Sequence, residues 1–138
     1  MSAGRGLYTP EMLGAAMELT AYPWNDALPL KGSARSRSCG SAIEMALLLD
    51  DAGAIVTLAI KPHACAVGQA AAARFAASAA GRNAAQITTA RAELAEWLGG
   101  SDQKPDWPGI ELLEPARVYP ARHGAILLAW DAAIAAME

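Results

Sequence analysis

The chain of 138 residues has the length of a single domain, and 54% of its residues are hydrophobic, so it can bury a core without a metal or a disulfide. Its formal net charge of −3 gives no basic field for nucleic acid or for an anionic membrane. No apolar run approaches the roughly 20 residues of a membrane-spanning helix, and the first residues lack the apolar stretch of a signal peptide. We therefore expect one cytoplasmic domain over residues 1–138, in a compartment that keeps cysteines reduced.

The first third of the chain predicts a helix and then an edge strand. Thr9-Pro10-Glu11 is a helix-start signal, because threonine can cap the helix and proline suits its first position. We expect this helix to end before Tyr22-Pro23. The stretch that follows is polar and broken by proline, which indicates a loop leading into an edge strand around 30–37.

A hairpin is the clearest predicted unit. Apolar residues in its first strand alternate with smaller or polar ones, at the period of a half-buried strand; they are Ile43, Met45, Leu47 and Leu49. Asp50-Asp51-Ala52-Gly53 is turn chemistry. Residues 55–60 return as a strand rich in β-branched side chains, and Pro62 is expected to end it.

The rest of the chain predicts helices. An alanine-rich helix is expected over 66–80, closed by Gly81, and a second one over 84–98. A short helical piece is expected between the prolines of 110–122. The last helix, 124–137, is expected to face the core with one stripe of residues, namely Leu127, Trp130, Ile134 and Met137. The predicted fold class is therefore α+β, with an N-terminal helix, a three-stranded antiparallel sheet and then helices packed on one sheet face.

The two cysteines flank the hairpin. Cys39 lies just before its first strand and Cys65 just after its second, so we expect them to be neighbours at the open end of the sheet. Cys65 also stands at a predicted helix start, where unpaired N–H groups favour a thiolate. The pair is interpreted either as metal ligands or reactive thiols, or as small buried apolar residues.

The two histidines have open roles at this stage. His63 lies in the same loop as Cys65, where it is either a ligand or a solvated hydrogen-bonding group. His123 is a packed residue if the last helix includes it. If that helix begins at Gly124, the side chain is free to turn toward the cysteines.

These residues resemble the U-type iron–sulfur cluster scaffold family, the IscU, SufU and NifU amino-terminal domain group, over nearly the whole chain. The matching segments are Cys39-Gly40-Ser41, the sequence HACAVGQAAA around Cys65, and RHGAILLAW from Arg122 to Trp130. The longer connection between the last two segments is similar to the SufU branch. The resemblance implies a SufE/NifU-like fold, and a protein that is not an enzyme but a scaffold, with cysteine desulfurase as sulfur donor and acceptor apo-proteins as recipients.

The resemblance also implies a site that this chain only partly retains. Family members carry an aspartate where this chain has Ser41 and a third cysteine where it has Ala125. The expected cofactor is a transient Fe–S cluster or a zinc ion, bound through Cys39 and Cys65. His63 and His123 are candidates to complete a two-cysteine, two-histidine metal site.

Three functions are compatible with this set. The first is an iron–sulfur scaffold or carrier that holds iron, a labile cluster or a persulfide on Cys39 and Cys65. The second is a zinc-dependent sulfurtransferase of SufU type. The third is a degenerate regulatory module that binds the desulfurase without a cluster.

Overall fold

A computed structural model of the chain describes residues 8–37 and 40–138. In chain order the helices and strands of this part are α1 (Pro10–Met17), β1 (Leu30–Arg35), β2 (Ala42–Leu49), β3 (Ile55–His63), α2 (Ala66–Ser78), α3 (Ala84–Leu98) and α4 (His123–Met137). Short 3-10 segments follow α1 at Glu18–Ala21 and precede α4 at Ile110–Val118 and Pro120–Arg122. Within the described ranges, none of the helices combines the length and the apolar character needed to cross a membrane.

The three strands form one antiparallel sheet, as the sequence predicts, and their order is β1-β2-β3. At one end of this sheet Ala42 pairs with Arg35 of β1 and with His63 of β3. At the other end Asp50 holds the hairpin turn, because its Oδ1 accepts hydrogen bonds from the backbone N–H groups of Ala52 and Ala54, each at 2.9 Å. The start of β2 and the end of β3 therefore lie side by side.

The predicted end of β3 at Pro62 is wrong. The strand continues to His63, with Pro62 opposite Ile43. The physical reason is that β3 has a neighbour on one side only. Proline cannot donate a ladder hydrogen bond, and an edge strand tolerates it where its nitrogen faces away from the partner. The extra length places His63 on the sheet and leaves only Ala64 before Cys65.

The core lies between one face of the sheet and the helices. Ile43, Met45 and Leu47 of β2 are fully buried on that face, which confirms the predicted alternation. Helix α4 approaches β1 at Gly32, where an added Cβ would overlap the backbone of Ala132 and Ala136. A glycine is therefore required there for the helix to lie on the strand. The predicted fold class, with helices on one sheet face, is confirmed.

The opposite face of the sheet, called the outer face below, is partly covered. Leu28 packs on Ala46 and Ala59 there, and the partly buried Trp24 lies against this small cluster. Both covering residues come from the loop between α1 and β1. In the described part of the chain, no comparable apolar cluster lies on the half of the outer face toward the Ala42–His63 pair.

The helix boundaries agree closely with the sequence pattern. Helix α3 has the predicted bounds and begins with a capping box, in which Asn83 and Gln86 each bind the other's backbone N–H. Helix α2 ends at Ser78, two residues before the expected position. Gly81 follows with a φ of +87° and donates its N–H to the carbonyl of Ile55 at 2.8 Å, which joins this turn to the start of β3.

The predicted single stripe of α4 is wrong in part. Trp130 is buried, but Leu127, Ile134 and Met137 are only partly buried. The positions with the deepest burial include small residues between them, such as Ala129 and Ala133. The reason is that α4 packs against β1, β2, α2 and α3, so it is enclosed on more than one side.

Candidate metal and sulfur site

The open end of the hairpin brings together the segments that carry the predicted ligands. The backbone N–H of Ser36 donates to the carbonyl of Ser41 at 2.7 Å, so the connection between β1 and β2 is closed at its base. Cys39 belongs to this connection in sequence but lies outside the described residues. Its predicted proximity to Cys65 therefore stays a prediction.

Cys65 occupies the N-cap position of α2. Its backbone is extended, with φ −65° and ψ 169°, and its side chain forms no capping hydrogen bond. The thiol is not in a disulfide and is partly exposed. The carbonyl of Cys65 accepts the N–H of Gln69 at 2.9 Å, which starts the first turn of the helix. The thiol is thus held at a fixed backbone position with access to solvent.

Ala125, at the position of the family's third cysteine, lies beside the first turn of α2. A Cβ built on Gly68 would be 3.3 Å from both the Cβ and the carbonyl oxygen of Ala125, and 3.0 Å from the Cβ of Ala64. Ala125 is fully buried. The start of α4 therefore packs against the turn that follows Cys65, and a methyl group, which cannot bind a metal, fills the position.

Ser41, at the position of the family's aspartate, is also buried, with 5% of its surface exposed. It directly precedes Ala42, which pairs with His63. A neutral hydroxyl at this position offers a metal neither the charge nor the two oxygens of a carboxylate. Two of the four family ligand positions are thus occupied by side chains that bind metals poorly or not at all.

His63 points to the outer face of the sheet and is mostly exposed. Its Nε2 lies 3.9 Å from Oε2 of Glu44, and the two side chains are 62% and 45% exposed. The register explains the contact, because Ala42 and Glu44 pair with His63 and Lys61 and all four side chains share one face. The partner of His63 is therefore a carboxylate of the neighbouring strand.

His123 is the first residue of α4, so the last helix includes it and does not begin at Gly124. Its Nε2 lies 3.0 Å from the carbonyl oxygen of Arg117 and 3.2 Å from that of Ala116. Carbonyl oxygens only accept, so Nε2 is the donor in this contact, and Nδ1 is the ring nitrogen left to bind a metal. Metal-bound histidines often have this arrangement, with the other ring nitrogen donating to a carbonyl.

The described ranges, 8–37 and 40–138, contain no group of three or more His, Cys, Asp and Glu side chains that could hold a metal ion. Cys65, His63 and His123 therefore do not form a three-ligand site among themselves. A site that includes Cys39 falls outside this statement, so the four-ligand set stays a prediction.

Sequence reasoning did not identify two residues of this region. Gln69 donates its Nε2 to the carbonyl of Ala64 at 2.8 Å and so holds the residue before Cys65 against the helix. Its signal is its position as the only amide side chain in an alanine-rich run. Glu44 is visible in the sequence only as an outward residue of β2, and its contact with His63 depends on the register with β3.

The structure is similar to the crystal structure of the amino-terminal part of a nitrogen-fixing NifU-like protein from Brucella abortus. The TM-score is 0.85 at 26% identity, over 99% of this chain and 95% of that one. It is also similar to a candidate iron–sulfur cluster assembly scaffold protein for the SUF system from Fervidobacterium islandicum. That TM-score is 0.83 at 18% identity, over 97% and 98% of the two chains, and this likeness concerns the fold alone.

No protein-family model matches the chain, and no curated protein sequence matches it either. The likeness is thus carried by structure rather than by sequence. It confirms the resemblance to the U-type scaffold family and the α+β fold that the sequence indicates.

Proposed function

We propose that the protein is an iron–sulfur cluster assembly scaffold or carrier, which holds iron, a labile cluster or a persulfide on Cys39 and Cys65. The observation that carries this proposal is the position of Cys65. It is a partly exposed thiol at the N-cap of α2, beside the segment that contains Ala125, on a fold similar to that of a NifU-like protein. The contact between the segments of Cys65 and Ala125, two of those in which the family has its ligands, supports the proposal.

The sulfur-loading step needs only a thiolate and a donor persulfide. The thiolate of Cys65 attacks the outer sulfur of a persulfide on a cysteine desulfurase. The donor's S–S bond breaks, the donor cysteine leaves as a thiolate, and a new S–S bond forms on Cys65. The oxidation state of the transferred sulfur is unchanged, so the step requires no external oxidant or reductant.

The iron-loading step differs from that of a complete family site. Two thiolates fill half of a tetrahedral coordination shell, and Ser41 and Ala125 do not supply the rest. Water, glutathione or a ligand of a partner protein completes the shell, with His63 and His123 as candidates within the chain. An incompletely ligated site binds metal weakly, which suits cargo that is passed on.

Anaerobic reconstitution with ferrous iron, cysteine and a cysteine desulfurase tests the proposal. We expect visible absorption and acid-labile sulfide on the protein, and both are lost in the Cys39→Ala/Cys65→Ala double variant. The matched control is Ser78→Ala, a substitution at the far end of α2 that leaves both thiols in place. Absorption that survives alanine at both cysteines contradicts the proposal.

A second candidate is a desulfurase-binding module that carries no cluster. The observation that favours it is the buried methyl group of Ala125, which packs against Gly68 where a third ligand is expected. Here the double alanine variant recovers the desulfurase in a pull-down as well as the wild-type protein does, and neither protein contains iron or sulfide. About one zinc ion per chain in protein purified without oxygen would instead indicate the zinc-dependent sulfurtransferase.

A further inference from the structure

The outer face of the sheet carries a group of cationic side chains. The cations are Lys31 and Arg35 of β1 and Lys61 of β3, and Ser33 of β1, Glu44 of β2 and His63 of β3 lie among them on the same face. These six residues are called the cationic groove below. The pairing places them in rows across the sheet, with Arg35 and His63 on either side of Ala42, and Ser33 and Lys61 on either side of Glu44.

The groove is concave rather than flat. A cavity of about 580 Å³ is lined by Ser33, Arg35, Glu44 and His63 together with neighbouring residues of β1 and β2. A second one of about 190 Å³ is lined by Trp24, Lys31, Ser33 and Glu44, among others. Because Ser33 and Glu44 line both, the two cavities are adjacent on this face of the sheet.

Three cations outside the groove pair with carboxylates: Arg74 with Glu18 at 3.6 Å, Arg91 with Asp131 at 2.9 Å and Lys104 with Glu111 at 3.2 Å. Arg82 and Arg117 instead lie over the rings of Trp107 and Trp97. In the described part of the chain, neither Arg35 nor Lys61 forms an ion pair.

The two lysines of the groove have neutral partners. Lys61 lies 4.9 Å from the ring centre of Trp24, and Lys31 donates to the carbonyls of Asp26 and Leu28 at 3.0 and 3.1 Å. Glu44 is the one carboxylate among the groove's six residues, and its Oε2 lies 3.9 Å from Nε2 of His63. A second carboxylate, that of Asp26, lies beside the groove and accepts the Nε1–H of Trp24 at 2.7 Å. The three cations of the groove therefore exceed the nearby carboxylates by one, on a chain whose formal net charge is −3.

We propose that the cationic groove is a docking surface for an acidic segment of a partner protein. Opposite potentials on two surfaces steer their encounter and fix their orientation. The acidic remainder of the chain disfavours an extended polyanion such as nucleic acid, whereas a short carboxylate-bearing segment fits a local depression.

The position of the groove indicates which partner docks there. His63 at its end is two residues from Cys65, and the strand ends meet at Ala42. A segment docked here brings the rest of its protein to the cysteine-bearing end of the sheet. The partner is inferred to be the protein that exchanges sulfur or a cluster with Cys65. This part of the inference rests on the proposed function. The docking itself does not depend on the cysteines.

The test uses the full chain and a short fluorescein-labelled oligoglutamate peptide, with the corresponding oligoglutamine peptide as control. Fluorescence anisotropy is measured at ionic strengths of about 0.01 M and 0.15 M, where charges are screened over about 30 Å and 8 Å. We expect binding of oligoglutamate only, and weaker binding at the higher ionic strength. Amide NMR signals are expected to shift in the segments 33–35, 42–44 and 61–63.

Variants locate the binding. The Arg35→Ala/Lys61→Ala double variant is expected to bind about fivefold more weakly, because exposed charge pairs each contribute little. Lys104→Ala removes a cation outside the groove and is expected to leave the affinity unchanged. Glu44→Gln removes the groove's carboxylate and is expected to tighten binding about twofold, an increase that a folding defect would not produce.

Several results overturn the inference. They are the absence of binding to the wild-type chain at low salt, equal binding to the Arg35→Ala/Lys61→Ala variant, weaker binding to Glu44→Gln, and NMR shifts confined to another face. The Cys39→Ala/Cys65→Ala variant separates this inference from the proposed function. We expect it to bind the peptide normally even where cluster assembly fails, and loss of peptide binding in that variant would place the probe at the cysteines instead.

Discussion

Replacing Ala125 by cysteine returns a thiol to the position where the family has its third cysteine. The new sulfur must fit a fully buried site that packs against Gly68, so we expect a loss of stability of about 1 to 3 kcal/mol. Four-ligand structural zinc sites bind with about 10 to 16 kcal/mol, or roughly 3 kcal/mol per ligand. If the site is limited by missing ligands, a third thiolate strengthens metal binding by about 100-fold.

Chelator competition under anaerobic conditions measures this gain, with zinc and with ferrous iron as separate probes. The control is Ala133→Cys, which adds the same thiol to a buried position of α4 about 12 Å further along the helix. We expect tighter binding in Ala125→Cys only, and in none of the variants that also lack Cys65. An Ala125→Cys protein that folds and yet binds no more tightly than wild type refutes the view that ligand loss at this position limits the site.

Three further predictions concern the packing that places the site, and urea unfolding checks each. Gly68→Ala should destabilise the protein by about 1 kcal/mol, because crowding against Ala64 outweighs the gain in helix propensity. The control Gly14→Ala has open space around it and should stabilise the protein by up to about 1 kcal/mol. Equal effects of the two substitutions would contradict the close approach of Gly68 to Ala64. Gly32→Ala should destabilise by more than about 3 kcal/mol or prevent folding, since backbone must move, and a neutral effect would contradict the contact of β1 with α4. Asn83→Ala should cost about 1 kcal/mol through loss of the capping box, and an unchanged midpoint would argue against it.

Local signals in the sequence determine most of the fold. The alternation in β2 and the turn at Asp50 each act within a few residues, so the strand β2 and the bounds of α3 are predicted correctly. Pro62 shows where this approach fails. Whether a proline ends a strand depends on whether its backbone nitrogen faces a neighbouring strand, and this follows from the order of the strands in the sheet.

Alanine richness sets a second limit. A helix with large apolar residues on one side shows its buried face as a stripe, but α4 is enclosed by strands and helices and buries alanines between its larger residues. Alanine gives no directional signal, because it is accepted on buried and exposed helix faces alike. The same holds for the candidate site. The position of Cys65 at a helix start is readable from the sequence, whereas the contact of Ala125 with Gly68 joins distant segments through small side chains that carry no pattern.

The position of Cys65 depends on the register between β2 and β3. Cys65 follows β3 by two residues, and the pairing of His63 with Ala42 fixes where that strand ends. A slip of one residue between β2 and β3 would turn Ile43 and Met45 away from the core, so burial of these side chains fixes the pairing strongly. The thiol at the start of α2 is therefore positioned by the hydrophobic core rather than by metal ligation. A fold built this way keeps its shape when two family ligands are absent, which is what the proposed function requires of a site with two remaining cysteines.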